Sequence, residues 1–153
     1  MKTFKPLCLF LVTISLASLG ACPSGNISNG EQLAHTAPTV VSARTNPGTF
    51  ELNQNLDPVS RTQIVADVKD YSNKVTDVRI RFVHIPMEIP MHQASASTWV
   101  ADLQPQQLKQ LAVNGHTMKY EANVIARDNQ GQTGMSAKPL EIAVKAPDIN
   151  ATG

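Results

Sequence analysis

From Pro38 to Pro147, apolar and polar side chains alternate with a period of two, in short runs broken by turn-forming residues. In TQIVADVKD, Ile64, Ala66 and Val68 share one face while Asp67 and Lys69 take the other. TDVRIRFVH sets Val78, Ile80 and Phe82 against Asp77, Arg79 and Arg81, and its inward parity continues to His84. TWVADL aligns Trp99, Ala101 and Leu103. TMKYEANVIARD aligns Met118, Tyr120, Ala122, Val124 and Ala126 against Lys119, Glu121, Asn123 and Arg127, and PLEIAVK aligns Leu140, Ile142 and Val144. PTVVSAR supplies an earlier strand. Successive side chains of a strand point to opposite faces, so the pattern predicts half-buried antiparallel strands with one wet face. Six or seven of them in about 110 residues suit an all-β fold, two sheets packed into a single β-sandwich.

One stretch departs from this period. DLQPQQLKQLAVNGHT puts Leu103, Leu108 and Leu111 at mixed spacing among glutamines, which predicts one or two helical turns ending near Asn114-Gly115. RDNQGQTG, residues 127–134, carries Asn and Gly, which accept positive φ, and reads as a hairpin turn. Its one carboxylate, Asp128, falls short of the several oxygen donors a calcium loop needs. Asp67 and Asp70 fall on a solvated face near a strand end.

Ahead of the strands the chain is of another kind. Lys2 and Lys5 precede an almost wholly apolar run from Leu7 to Leu19. A helix of about 13 residues rising ~1.5 Å each reaches ~20 Å, short of a hydrocarbon core ~30 Å thick. A secretory signal peptide therefore fits better than a membrane-spanning or buried helix. The run finishes Leu19-Gly20-Ala21-Cys22. This resembles the lipobox of bacterial lipoprotein precursors, in which a branched apolar residue and two small residues precede a cysteine. The resemblance covers residues 1–22. It implies that residues 1–21 are removed as signal peptide, that the Cys22 thiol carries diacylglycerol, and that the new amino terminus is acylated. Acyl chains of that number anchor a protein stably to a membrane, so the resemblance also implies a place in the bacterial cell envelope. Residues 22–37 then form a lipidated cysteine and flexible linker, rich in Ser, Asn, Gly and Pro with no apolar period. Residues 148–153 read as a disordered tail. Cys8 leaves with the signal peptide and Cys22 is consumed by lipid, so no disulfide and no cysteine metal site remain.

The order of features over residues 38–147 resembles the immunoglobulin-like and fibronectin type III-like sandwiches of bacterial surface proteins. Leu108 and Leu111 in a crossover, then Gly115, Tyr120 near the start of a long strand, Ala126-Arg127-Asp128, a turn and a closing strand carry the likeness. It implies that the Tyr120 hydroxyl bonds back to the crossover backbone, as in the tyrosine corner of that family. The chain departs from antibody-type domains in lacking the inter-sheet disulfide, and its single tryptophan, Trp99, is expected to carry part of the missing core volume. The fold hosts unrelated activities, so function has to come from the residues.

The formal net charge of +1 includes Lys2 and Lys5; without them eleven basic residues face twelve acidic ones. The charges are interspersed, and nothing in them draws the chain to nucleic acid or to an anionic membrane surface. G-x-S-x-G, H-E-x-x-H and the phosphate-binding G-x-x-x-x-G-K-[ST] are all absent, and no motif sets a nucleophile beside a base. The stretch richest in chemistry is FVHIPMEIPMHQ, with His84, Met87, Met91 and His92 around Pro86 and Pro90. Thioether and imidazole suit copper, Cu(I) above all. The stretch resembles the Met- and His-bearing loops of periplasmic copper-handling proteins built on an immunoglobulin-like sandwich. The competing reading makes the methionines core filler, His84 a core histidine and the prolines marks of a segment crossing between sheets. The chain therefore reads as a lipid-anchored envelope protein whose domain is a non-catalytic binding or structural module for another envelope protein or a polysaccharide. Copper binding through the His/Met loop is the alternative.

Overall fold

The computed structural model describes residues 36–150. In chain order the elements are β1 (Thr39–Asn46), β2 (Thr49–Glu51), β3 (Gln63–Lys69), β4 (Val75–Phe82), β5 (Glu88–Pro90), β6 (His92–Gln93), β7 (Thr98–Asp102), helix α1 (Pro105–Leu111), β8 (Thr117–Asp128), β9 (Thr133–Met135) and β10 (Leu140–Lys145). They form two sheets, ordered β1-β3-β7-β6 and β2-β10-β8-β4-β5, with β9 added to β8. The pairings are antiparallel except that β2 runs parallel to β10. The fold is thus an all-β sandwich, as the alternating pattern predicts.

The inward faces match the sequence parity. Ile64, Ala66 and Val68 of β3 are buried, as are Val78, Ile80 and Phe82 of β4. So are Ala122, Val124 and Ala126 of β8, Ile142 and Val144 of β10, and Trp99 and Ala101 of β7. These side chains meet in one core between the sheets. Four strands of two or three residues escape sequence reading, because so short a run cannot display a period. One of them, β2, contributes Phe50, among the largest fully buried side chains.

Helix α1 lies where the chain passes from β7 in one sheet to β8 in the other. Pro105 occupies its first turn, and the Gln107 side chain accepts the Gln104 N–H at 2.8 Å. Leu108 and Leu111 are fully buried and close the end of the core. The Tyr120 hydroxyl donates to the Leu111 carbonyl at 2.6 Å, and its ring meets Phe82 edge-on with centroids 6.4 Å apart. Burial raises the Tyr120 pKa above its ordinary value, so the donor stays protonated. Tyr120→Phe keeps the ring and strands the helix-end carbonyl. An unpaired buried acceptor costs about 1–3 kcal/mol, and urea unfolding should show a loss of that size.

Register fixes which loops share an end. Thr39 faces Lys69, Val75 faces Asp128 and Asp67 faces Thr98, so residues 36–38, 70–74, 94–97 and 129–132 gather at one end, here called proximal. The distal end holds residues 52–62, the β4–β5 tip at 83–87, helix α1 and residues 146–150.

One expectation is corrected here. His84 is exposed, not a core residue, because strand parity ends at Phe82, where the hairpin tip begins. At the distal end Asn114 meets the chain after β10: its Oδ1 accepts the Ile149 N–H at 2.8 Å, and its Nδ2 donates to Asp148 at 3.4 Å.

Candidate functional site

At the proximal end two carboxylates are turned inward by loop amides. Asp70 Oδ1 accepts the N–H groups of Ser72 at 3.0 Å and Asn73 at 2.8 Å, fastening the β3–β4 loop. Asp128, 2% exposed, accepts the N–H groups of Gln130 at 2.9 Å and Gln132 at 2.7 Å. Its other oxygen accepts the Asn73 side-chain amide at 3.0 Å, tying two loops together. The carboxylate that a calcium reading would use therefore serves as a turn cap, as Asp commonly does. The Asp70 Oδ2 is buried with no donor among the described residues, and nothing in the structure explains it.

What this end shows to solvent is different. Lys69, Tyr71 and Lys74 are exposed around a cleft of about 360 Å³, with Tyr71 84% accessible. Arg127 lies beside Gly131 of the β8–β9 turn, its guanidinium 3.3 Å from where a β-carbon would stand. The chain arrives here too. The Thr36 N–H donates to Ser72 Oγ at 3.1 Å, and Ser72 Oγ donates to the Thr36 carbonyl at 3.2 Å. Cys22 itself lies outside the described residues.

The distal end has the opposite character. Val59, Val83, Val113 and Ile149 are exposed on its loops. Clefts of about 300 and 670 Å³ flank the tip at His84 and Ile85. Its cations are neutralised in ion pairs. Arg61 forks onto Asp102 at 2.9 and 3.0 Å, Lys109 meets Asp57 at 3.2 Å, Lys119 meets Glu141 at 2.9 Å and Lys145 meets Glu51 at 3.2 Å. The Arg61 hydrogen bonds hold the Asp102 carboxyl below its ordinary pKa. Nearer the sheet edge, Arg81 does the same for Glu88, with Arg79 assisting. All these pairs are solvent-exposed and worth little individually to stability.

The structure separates the four donors of the His/Met stretch. Met87 and Met91 point inward and pack in the core at 8% and 7% exposure. His84 and His92 stand outside. The cause is a change of sheet. Met91 N–H still bonds the Val78 carbonyl of one sheet at 2.8 Å, while His92 already pairs with Val100 of the other. The stretch bridges the sheets, and thioether and imidazole fall on opposite sides of the chain. Truncating either methionine opens a core cavity, so a metal titration is informative only at the histidines. Among the described residues, no group of three or more His, Cys, Asp or Glu comes together as a metal site.

The proximal cluster was missed in the sequence. Lys69, Tyr71 and Lys74 are separated by ordinary polar loop residues, and Arg127 is far along the chain. The only local signal was the Asp-x-Ser-Asn turn chemistry of residues 70–73.

No family model matches the chain, and no curated protein matches it in sequence. Among solved structures, the X-ray structure of the endo-beta-1,4-mannanase from Thermotoga petrophila is similar at 14% identity and a TM-score of 0.41, over 70% of this chain and 20% of that one. An engineered protein from the Northeast Structural Genomics Consortium is similar at 15% identity and a TM-score of 0.39, over 74% of this chain and 21% of that one. Likeness this distant carries no argument about activity.

Proposed function

We propose that this chain is a lipid-anchored cell-envelope protein. Cys22 is its acylation site, and one immunoglobulin-like domain acts as a non-catalytic binding module. The observation that carries the reading is the polarity of the domain: residues 36–38 enter at one end, while Val59, Val83, Val113 and Ile149 are exposed at the other. A tethered binding module needs that arrangement, with its leash and its contact surface apart. Anchoring raises the local concentration near other membrane-bound molecules, so a modest contact surface suffices. The immunoglobulin-like assignment is supported by the two-sheet topology and by the Tyr120 hydroxyl bonded to Leu111. The distal surface offers aliphatic side chains, which favour another envelope protein over a polysaccharide.

A photo-crosslinking residue placed at Val83 should trap one discrete partner in intact cells. The same residue at Val41, exposed on the edge strand β1, should not. Identical adducts from both positions, or none from either, overturn the partner reading. Separately, Cys22→Ser should abolish acyl labelling and membrane partition; unchanged partition refutes the anchor.

A further inference from the structure

We propose that the proximal end of the domain, with Lys69, Tyr71, Lys74 and Arg127, is a lipid-contact surface that lies on the anionic headgroups of the membrane. The inference rests on the anchoring of Cys22 proposed above and adds to it a definite orientation.

The charges argue it first. Among the described residues, Lys69, Lys74, Arg127 and Lys138 are the lysines and arginines outside every ion pair. Three of the four stand at the proximal end. Asp70 and Asp128 are turned into the loops, residues 94–97 and 129–132 carry no charge, and the nearby strand carboxylates Asp67 and Asp77, the latter opposite Arg127, are paired with Arg44 at 3.7 Å and Arg79 at 2.7 Å. The charge left outside ion pairs at this end is therefore cationic, a local excess that the interspersed charges of the nearly neutral sequence do not reveal. Tyr71 stands between the lysines, and an exposed tyrosine with an apolar body and a polar tip suits the headgroup layer.

Reach argues it second. Thirteen residues, 23–35, separate Cys22 from Thr36, and a chain of that length reaches at most about 50 Å. Strand β8 runs twelve residues, so the distal end stands roughly 40 Å further out along the strands when the proximal end is down. A distal-down pose would use most of that maximum reach, whereas a proximal-down pose needs little of it. Each cation near an anionic surface adds about fivefold to the population of the contact. The resulting pose turns the aliphatic distal loops away from lipid.

The test uses the acylated full chain, whose thiols are already consumed or removed, so one added cysteine takes a fluorescent label. Gln130→Cys marks the proximal end and Val83→Cys the distal end. Both are reconstituted in phosphatidylethanolamine–phosphatidylglycerol vesicles bearing a headgroup quencher. The label at 130 is expected to be quenched several-fold more than the label at 83. The gap should collapse on phosphatidylcholine vesicles and in the Lys69→Gln/Lys74→Gln/Arg127→Gln variant. It should also collapse in wild type when salt rises from 0.1 to 1 M, which cuts the screening length from ~10 to ~3 Å. Equal quenching at both labels, with acyl mass on Cys22, overturns the contact and leaves the anchor standing. A chain without acyl groups overturns both.

Discussion

Gly134→Ala is expected to lower the unfolding midpoint of the full chain substantially, while Gly48→Ala leaves it nearly unchanged. A β-carbon on Gly134 would stand 1.7 Å from the Pro38 carbonyl oxygen and 2.8 Å from its carbonyl carbon. Both are backbone atoms, so no side chain can rotate away. Either β9 leaves β8 or residues 36–38 leave the domain. Overpacking of this kind costs about 1–3 kcal/mol, and the upper end applies where only backbone can yield. The glycine is required by close approach, since its φ is ordinary. Gly48 has no atom within 4 Å of its would-be β-carbon and serves as the control. Urea midpoints of the two variants decide the matter, and protease cleavage near residue 37 reports whether the incoming chain has been released. Equal midpoints would falsify the close-approach account. The variant also bears on the proposed orientation, because Pro38 and the Thr36–Ser72 bonds fix where the leash leaves the domain.

Phe50→Ala should cost about 3–5 kcal/mol, a large share of the ~5–15 kcal/mol that holds a typical domain folded. Phe50 is fully buried on a strand of three residues, so its ring is the main attachment of β2 to the sandwich. The backbone pairing with β10 covers three positions, and the Lys145–Glu51 ion pair beside it is exposed. Losing the ring frees β2 and makes β10 an edge. Open edges template pairing with other chains. Chemical denaturation should show the lost stability, and light scattering near the new midpoint should show association. Phe50→Leu, which refills most of the space, should recover much of the difference.

Parity told the five long alternating runs apart from loops and named their buried residues, because burial of one sheet face acts on every second residue locally. The same rule misled at His84: parity holds only while the strand lasts, and the β4–β5 tip begins one residue after Phe82. FVHIPMEIPMHQ presented four metal donors close in sequence, and the prolines correctly marked a segment that changes sheets. What the spacing could not reveal was that this change puts Met87 and Met91 in the core and the histidines in water. Sequence proximity of donors is not convergence.

The amino-acid order alone determined the two-layer β architecture and the helical crossover with Leu108 and Leu111, while the Tyr120 hydroxyl reaching back to that crossover was an expectation of the family resemblance. The first two follow from periodicity and local composition. Only the tertiary structure decided that Phe50 is a core residue and that Gly134 must have no side chain. It alone gathered Lys69, Tyr71, Lys74 and Arg127 at the end where the chain enters. Those facts depend on strand order and register, which bring together residues that no local pattern relates.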